Sequence, residues 1–125
     1  MKYSAVLAFV FTLMLVVPVG MARAHAFPEH QVPGAGAELD SPPKAVTIRF
    51  DRAVEPLFST LRVENEASKR VDAKDSHMSH GRTDTLAVTL KPMINGRYHV
   101  FWIAVGRDGH RTHGDYWFSV HKAVP

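Results

Sequence analysis

Apolar residues recur at every second position along most of this chain, and that period decides what it can fold into. In AVTIRF (45–50), Val46, Ile48 and Phe50 fall on one face of an extended segment, with Thr47 and Arg49 on the other. STLRVE (59–64) places Leu61 and Val63 likewise, and TLAVTL (85–90) places Leu86, Val88 and Leu90. YHVFWIAV (98–105) is apolar on nearly both faces, the pattern of a central strand. YWFSV (116–120) puts Tyr116, Phe118 and Val120 on one side. No run of ten or more residues carries a helical period, although FDRAVEPLF (50–58) has room for one turn. VPGAGAELDSPP (32–43) is too rich in Pro and Gly for a long helix, and KPMING (91–96) ends on the Asn-Gly of a hairpin or turn. GRDGHRTHG (106–114) is a loop by composition. Short strands between such turns predict an all-β fold, one immunoglobulin-like sandwich of about seven strands.

The first 24 residues obey a different rule. Lys2 precedes the uncharged apolar run AVLAFVFTLMLVV (5–17), Pro18 and Gly20 break it, and Ala22-Arg23-Ala24 has the small-x-small form of a signal-peptidase site. The run is shorter than the roughly 20 residues of a membrane-spanning helix. Residues 1–24 are therefore expected to be a cleaved signal peptide, and 25–125 an exported, periplasmic domain of 101 residues with one core. Loss of Lys2 and Arg23 from the 15 basic residues leaves 13 against 12 acidic ones, with no basic block, so nucleic acid is not an expected partner. With no cysteine the domain must hold by packing alone, and a metal site cannot use thiolates.

Histidine is in excess, and all eight lie beyond residue 24. Cleavage after Ala24 would make His25 the first residue, giving it two nitrogen donors, its imidazole and the new α-amine. Asp108 and His110 sit one residue apart in the 106–114 loop, so in an extended segment their side chains leave on the same side. Alone, Asp-x-His is an ordinary turn sequence. Combined with His25 it supplies three nitrogens and one oxygen, the tetragonal set that Cu(II) prefers, with tetrahedral Zn(II) as competitor. Because a free α-amine titrates at about 7.7–8.0, such binding releases a proton and weakens in acid. His77, Met78 and His80 in DSHMSHG (75–81) offer a second, weaker Cu(I) set, against the plainer reading of a solvated loop. His99 reads as a hydrogen-bonded strand residue, His113 as a surface or outer-sphere residue, and His30 and His121 as surface.

The HA start, IRF, the run GRYHVFWIAV, DGH and the final YWFSV together resemble the periplasmic copper-resistance protein CopC family across essentially all of 25–125. That resemblance implies a Greek-key β-sandwich and a Cu(II) site of His25 with its amine, Asp108 and His110. It also implies a monomeric carrier or buffer in copper resistance and homeostasis, without turnover, that hands copper to an inner-membrane partner of the CopD type. Three departures stand out. A carboxylate often following the IRF position is replaced by Asp51-Arg52, Gly106 and Arg111 stand at the usual Ser and Pro places of the late loop, and no Met-rich loop is present. Copper exchange is expected to use the N-terminal arm as the mobile part of the site.

Two other classes compete. A copper-dependent oxidative enzyme resembling a lytic polysaccharide monooxygenase would also begin with histidine on a β-sandwich, but an equatorial Asp108 would fill the position that oxygen needs. A metal-free immunoglobulin-like interaction module would leave His25 and DGH coincidental. No nucleophile triad, nucleotide loop or paired-carboxylate signature is present.

Overall fold

A computed structural model describes residues 25–122; the expected signal peptide, 1–24, lies outside the described residues. Eight strands run in the order β1 (Pro28–Val32), β2 (Glu38–Leu39), β3 (Ala45–Phe50), β4 (Thr60–Asn65), β5 (His77–Met78), β6 (Thr85–Thr89), β7 (Gly96–Val105) and β8 (Arg111–Val120). They form two four-stranded sheets, β1-β3-β6-β5 and β2-β8-β7-β4. The neighbours are antiparallel except β2, which pairs parallel with β8. The sheets close over one core, as the alternation requires. Val46, Ile48, Phe50, Leu86 and Val88 face Leu61, Val63, Val100, Trp102, Ala104, Phe118 and Val120, all buried. Burial of such side chains stabilises the fold by about 1.5–3 kcal/mol each before conformational entropy is counted.

Several boundaries differ from the sequence reading. KPMING is an irregular link with a bend at Asn95, not a hairpin, since β6 and β7 lie in different sheets and the segment crosses between them. Two short strands arise inside segments that composition marks as loops, β2 in the Pro/Gly-rich stretch and β5 in DSHMSHG. The late loop is shorter than expected, because β8 begins at Arg111 and pairs with Val105 of β7. The alternation of β8, continued backwards from Tyr116, passes through Gly114 and Thr112, both inward positions. At Gly114 a Cβ would come within 2.6 Å of the Trp102 ring, so this place in the long β7–β8 hairpin admits no side chain.

The outer face of the second sheet is an aromatic and cationic ladder. His99 lies between Phe101 and Trp117, with ring centroids 4.0 and 4.1 Å away, and its Nε2 pairs with Asp115. Arg62 covers Phe101 at 4.5 Å and Arg97 covers Trp117 at 4.6 Å. His99 is thus a hydrogen-bonded strand residue, as its setting in the sequence implied.

Candidate metal centre

The long β7–β8 hairpin carries the turn 106–110 to one end of the sandwich. The turn closes on itself: the Gly106 amide donates to the His110 carbonyl and the Gly109 amide to the Gly106 carbonyl, each at 3.0 Å. Gly109 has φ +83°, the left-handed region open to glycine without strain. Asp108 and His110 therefore converge through a turn, not through the extended segment expected from their spacing. The Asp108 carboxylate accepts the His110 amide at 3.1 Å and meets His110 Nδ1 at 2.9 Å. These bonds, first the backbone amide and then the imidazole, outweigh desolvation and hold the Asp108 carboxyl below the usual carboxylate range. An ionised carboxylate can only accept, so Nδ1 carries the proton and the lone pair of neutral His110 is at Nε2. In this geometry Asp108 orients the His110 ring.

His25 arrives from the other end of the sequence. Its ring lies 4.9 Å from that of His110, inclined by 29°, and 6.3 Å from the Phe27 ring. Two imidazoles bound to one ion at about 2.0 Å would have centroids roughly 4.5 Å apart in cis positions and about 6.4 Å in trans, so the separation fits a shared ion. The faces are stacked, however, and in-plane lone pairs of stacked rings do not point at one spot. Among the described residues, no three His, Asp or Glu side chains are already arranged around an ion. Closing the set requires side-chain rotation and the α-amine that cleavage before His25 would create.

What brings His25 to this place is a backbone clamp that the sequence reading missed. Ala26 is fully buried, and its carbonyl accepts the Thr112 hydroxyl at 2.6 Å. The Phe27 amide donates to the Asp51 carboxylate at 3.0 Å, and the Asp51 amide returns a bond to the Phe27 carbonyl at 2.9 Å. Burial works against the Asp51 charge, but the Phe27 amide and the Arg52 guanidinium outweigh it and hold the carboxyl low. Asp51, standing next to the missing carboxylate position, is thus committed to the arm's backbone and to Arg52, 3.2 Å away. The arm's backbone is anchored from Ala26 onward, which leaves His25 as the part beyond the clamp. Thr112 was findable, as a small polar residue on the inward register of β8; the Asp51–Phe27 pairing, between residues 24 apart, had no local signal.

The remaining candidates stay apart. His77 and Met78 are successive residues of β5 and point to opposite faces: His77 is exposed with Nδ1 at the Asp75 carbonyl, and Met78 packs against the core. The Cu(I) set of His77, Met78 and His80 is therefore not assembled, because a strand separates neighbours that a loop could have gathered. His113 is exposed on the outer face of β8, three residues beyond the turn.

Residues 29–121 match the family model described as the CopC domain. The chain is 38% identical over 115 residues to Protein YobA of Escherichia coli (strain K12), covering 89% of each chain. It is 33% identical over 115 residues to Copper transport protein CutJ of Bacillus subtilis (strain 168), covering 91% of this chain but 21% of that protein. Among solved structures it resembles CopC from Methylosinus trichosporium OB3b, with TM-score 0.75 and 26% identity over 81% of this chain and 98% of that one. It also shares the fold of PcoC, a methionine-rich copper resistance protein from Escherichia coli, with TM-score 0.68 and 22% identity over 78% and 100%. The two-sheet β-sandwich and the family match over residues 29–121 define the class, and the chain belongs to the CopC family.

Proposed function

We propose that this protein, once cut before His25, binds Cu(II) and serves as a periplasmic carrier or buffer in copper resistance and homeostasis. The His25 amine and imidazole, the His110 imidazole and Asp108 would form the site, with copper as cargo. The observation that carries this reading is the approach of the His25 and His110 rings to 4.9 Å at one end of a rigid sandwich. The donor set fits a borderline, tetragonal ion: nitrogen-rich, with one carboxylate and no thiolate. The relatives named for copper transport and copper resistance support it further. The match to 21% of a relative named as a copper transport protein supports delivery to a transport partner, which on this reading is a membrane protein of the CopD type.

The reading also assigns binding without turnover. Four positions filled by two rings, an amine and a carboxylate leave no equatorial site for oxygen. Its test is Cu(II) titration of the protein starting at His25 beside one with a single extra N-terminal glycine, followed by tryptophan fluorescence and electron paramagnetic resonance. One-to-one tetragonal binding should weaken on the order of 1,000-fold in the extended protein, whose first imidazole has lost its amine partner. Equal binding by both would remove His25 as the anchor and, with it, the carrier reading.

A further inference from the structure

The surface around the candidate centre is unlike the rest of the molecule. Of the five large apolar residues that stand exposed among the described residues, three flank it: Leu57 at 88%, Phe58 at 65% and Phe27 at 46% exposure. Leu57 and Phe58 lie on a turn whose base is pinned. Val54 is buried and bridges to Gly106, the Glu55 amide donates to the Val105 carbonyl at 2.7 Å, and the Phe58 amide donates back to the Glu55 carbonyl at 3.2 Å. The fold itself therefore holds these side chains in water, an arrangement that stabilises nothing in the folded monomer.

A shallow hollow of about 430 Å³ separates Phe58 from the 106–111 turn, floored by Val105 and rimmed by Arg107, Arg111 and Glu55. Gly109, between Asp108 and His110, forms part of its wall. Neither Arg107 nor Arg111 makes an ion pair among the described residues. An apolar knob, a hollow and two cations thus sit against the residues that would hold the metal.

We infer that this end of the sandwich is a docking face for a membrane copper transport protein, with Leu57 and Phe58 entering an apolar recess and Arg107 and Arg111 meeting carboxylates on the partner's rim. The inference rests on the carrier reading above and adds the surface through which the metal would pass. In CutJ, one polypeptide holds the CopC stretch beside the rest of a copper transport protein, so covalent linkage supplies the high effective concentration. In relatives such as YobA the same stretch makes up 89% of the chain, and a separate module must find its partner by a surface. Two or three apolar contacts with a charged rim give a small interface, suited to an encounter that forms fast and dissolves after transfer.

The test places a benzophenone-bearing amino acid at position 57 and, as a control, at position 94. Ile94 is comparably exposed at 81% but lies at the other end of β7. The full chain is expressed in its own host and illuminated in copper-grown cells. The expected result is a membrane-bound adduct from position 57 alone, identified by mass spectrometry as a transport protein related to the part of CutJ outside the CopC stretch. Phe58→Ser, which leaves every charge beside the centre in place, should lower its yield about ten-fold or more while the purified protein keeps its Cu(II) affinity within roughly two-fold. A dimer of this chain, equal adducts from both positions, or no adduct at all would overturn the docking face. Intact Cu(II) binding in those cases would leave the carrier reading standing, whereas loss of binding in the parent protein would remove that reading instead.

Discussion

The two halves of the candidate centre are built by opposite means. Asp108 and His110 are arranged by bonds spanning two residues inside a five-residue turn. His25 is placed by partners far away in sequence, Thr112 to Ala26 across 86 residues and Asp51 to Phe27 across 24. The first half can form as soon as the hairpin closes; the second exists only when both sheets have met. A site divided this way reports on folding. On the proposed reading it would gather its donors only in the finished sandwich, and only after a cut before His25.

The sharpest way to break the comparison is to remove a member of the local half. His110→Ala deletes a nitrogen donor and should lower Cu(II) affinity on the order of 100-fold or more by competition with a chelator. Asp108→Asn leaves the imidazole but loses the acceptor that fixes its tautomer and one oxygen donor. It should cost about ten-fold to 100-fold and change the paramagnetic resonance parameters. Equal effects of the two changes would mean that Asp108 contributes through its own metal bond and not through orientation.

The same contrast governs what was legible in advance. The core strands were readable because burial imposes a period of two: β3 matches AVTIRF end to end, and β7 is central as its two apolar faces required. The meeting of Asp108 with His110 was readable because they stand two residues apart, although a turn and not an extended segment brings them together. β5 and β2 were not, since two-residue strands in polar or Pro/Gly-rich segments are held by the neighbouring strand and not by their own pattern. Nor was the Asp51–Phe27 half of the clamp on the arm, which joins the end of β3 to the start of the described chain. Composition also overstated the late loop, because Arg111–Gly114 is polar yet paired along its length.

Carboxylates sharpen the comparison in a second place. Asp72 is fully buried and accepts the Val63 amide at 2.8 Å, the Lys74 amide at 2.8 Å and the Arg70 guanidinium at 2.9 Å. Burial opposes its charge, yet these donors more than offset it and keep the carboxyl below its ordinary value. A folded-state value below the unfolded one, about 3.9, stabilises the protein above that pH and loses the contribution as pH falls through the folded value. Asp72→Asn should therefore cost roughly 2 kcal/mol near pH 7, with the gap to the parent closing below about pH 4 in denaturant titrations. Asp108 is also held low, but by an exposed turn, and Asp108→Asn should leave the unfolding curve nearly unchanged. A large loss there would mean that the turn is part of the core's support.

The smallest expected effect tests the clamp itself. Asp51→Ala removes the acceptor for the Phe27 amide, although the return bond from the Asp51 amide survives, and Thr112→Val leaves the buried Ala26 carbonyl without its hydroxyl. Each should cost about 1 kcal/mol of stability, the worth of one partly buried hydrogen bond. If the arm is held for the sake of His25, the double variant should also release Cu(II) about ten-fold faster, with an unaltered resonance spectrum because every donor is still present. Release at the parental rate would place the clamp's value in folding alone. The ion would then leave by rotation of the His25 side chain, the one part of the arm beyond the buried Ala26.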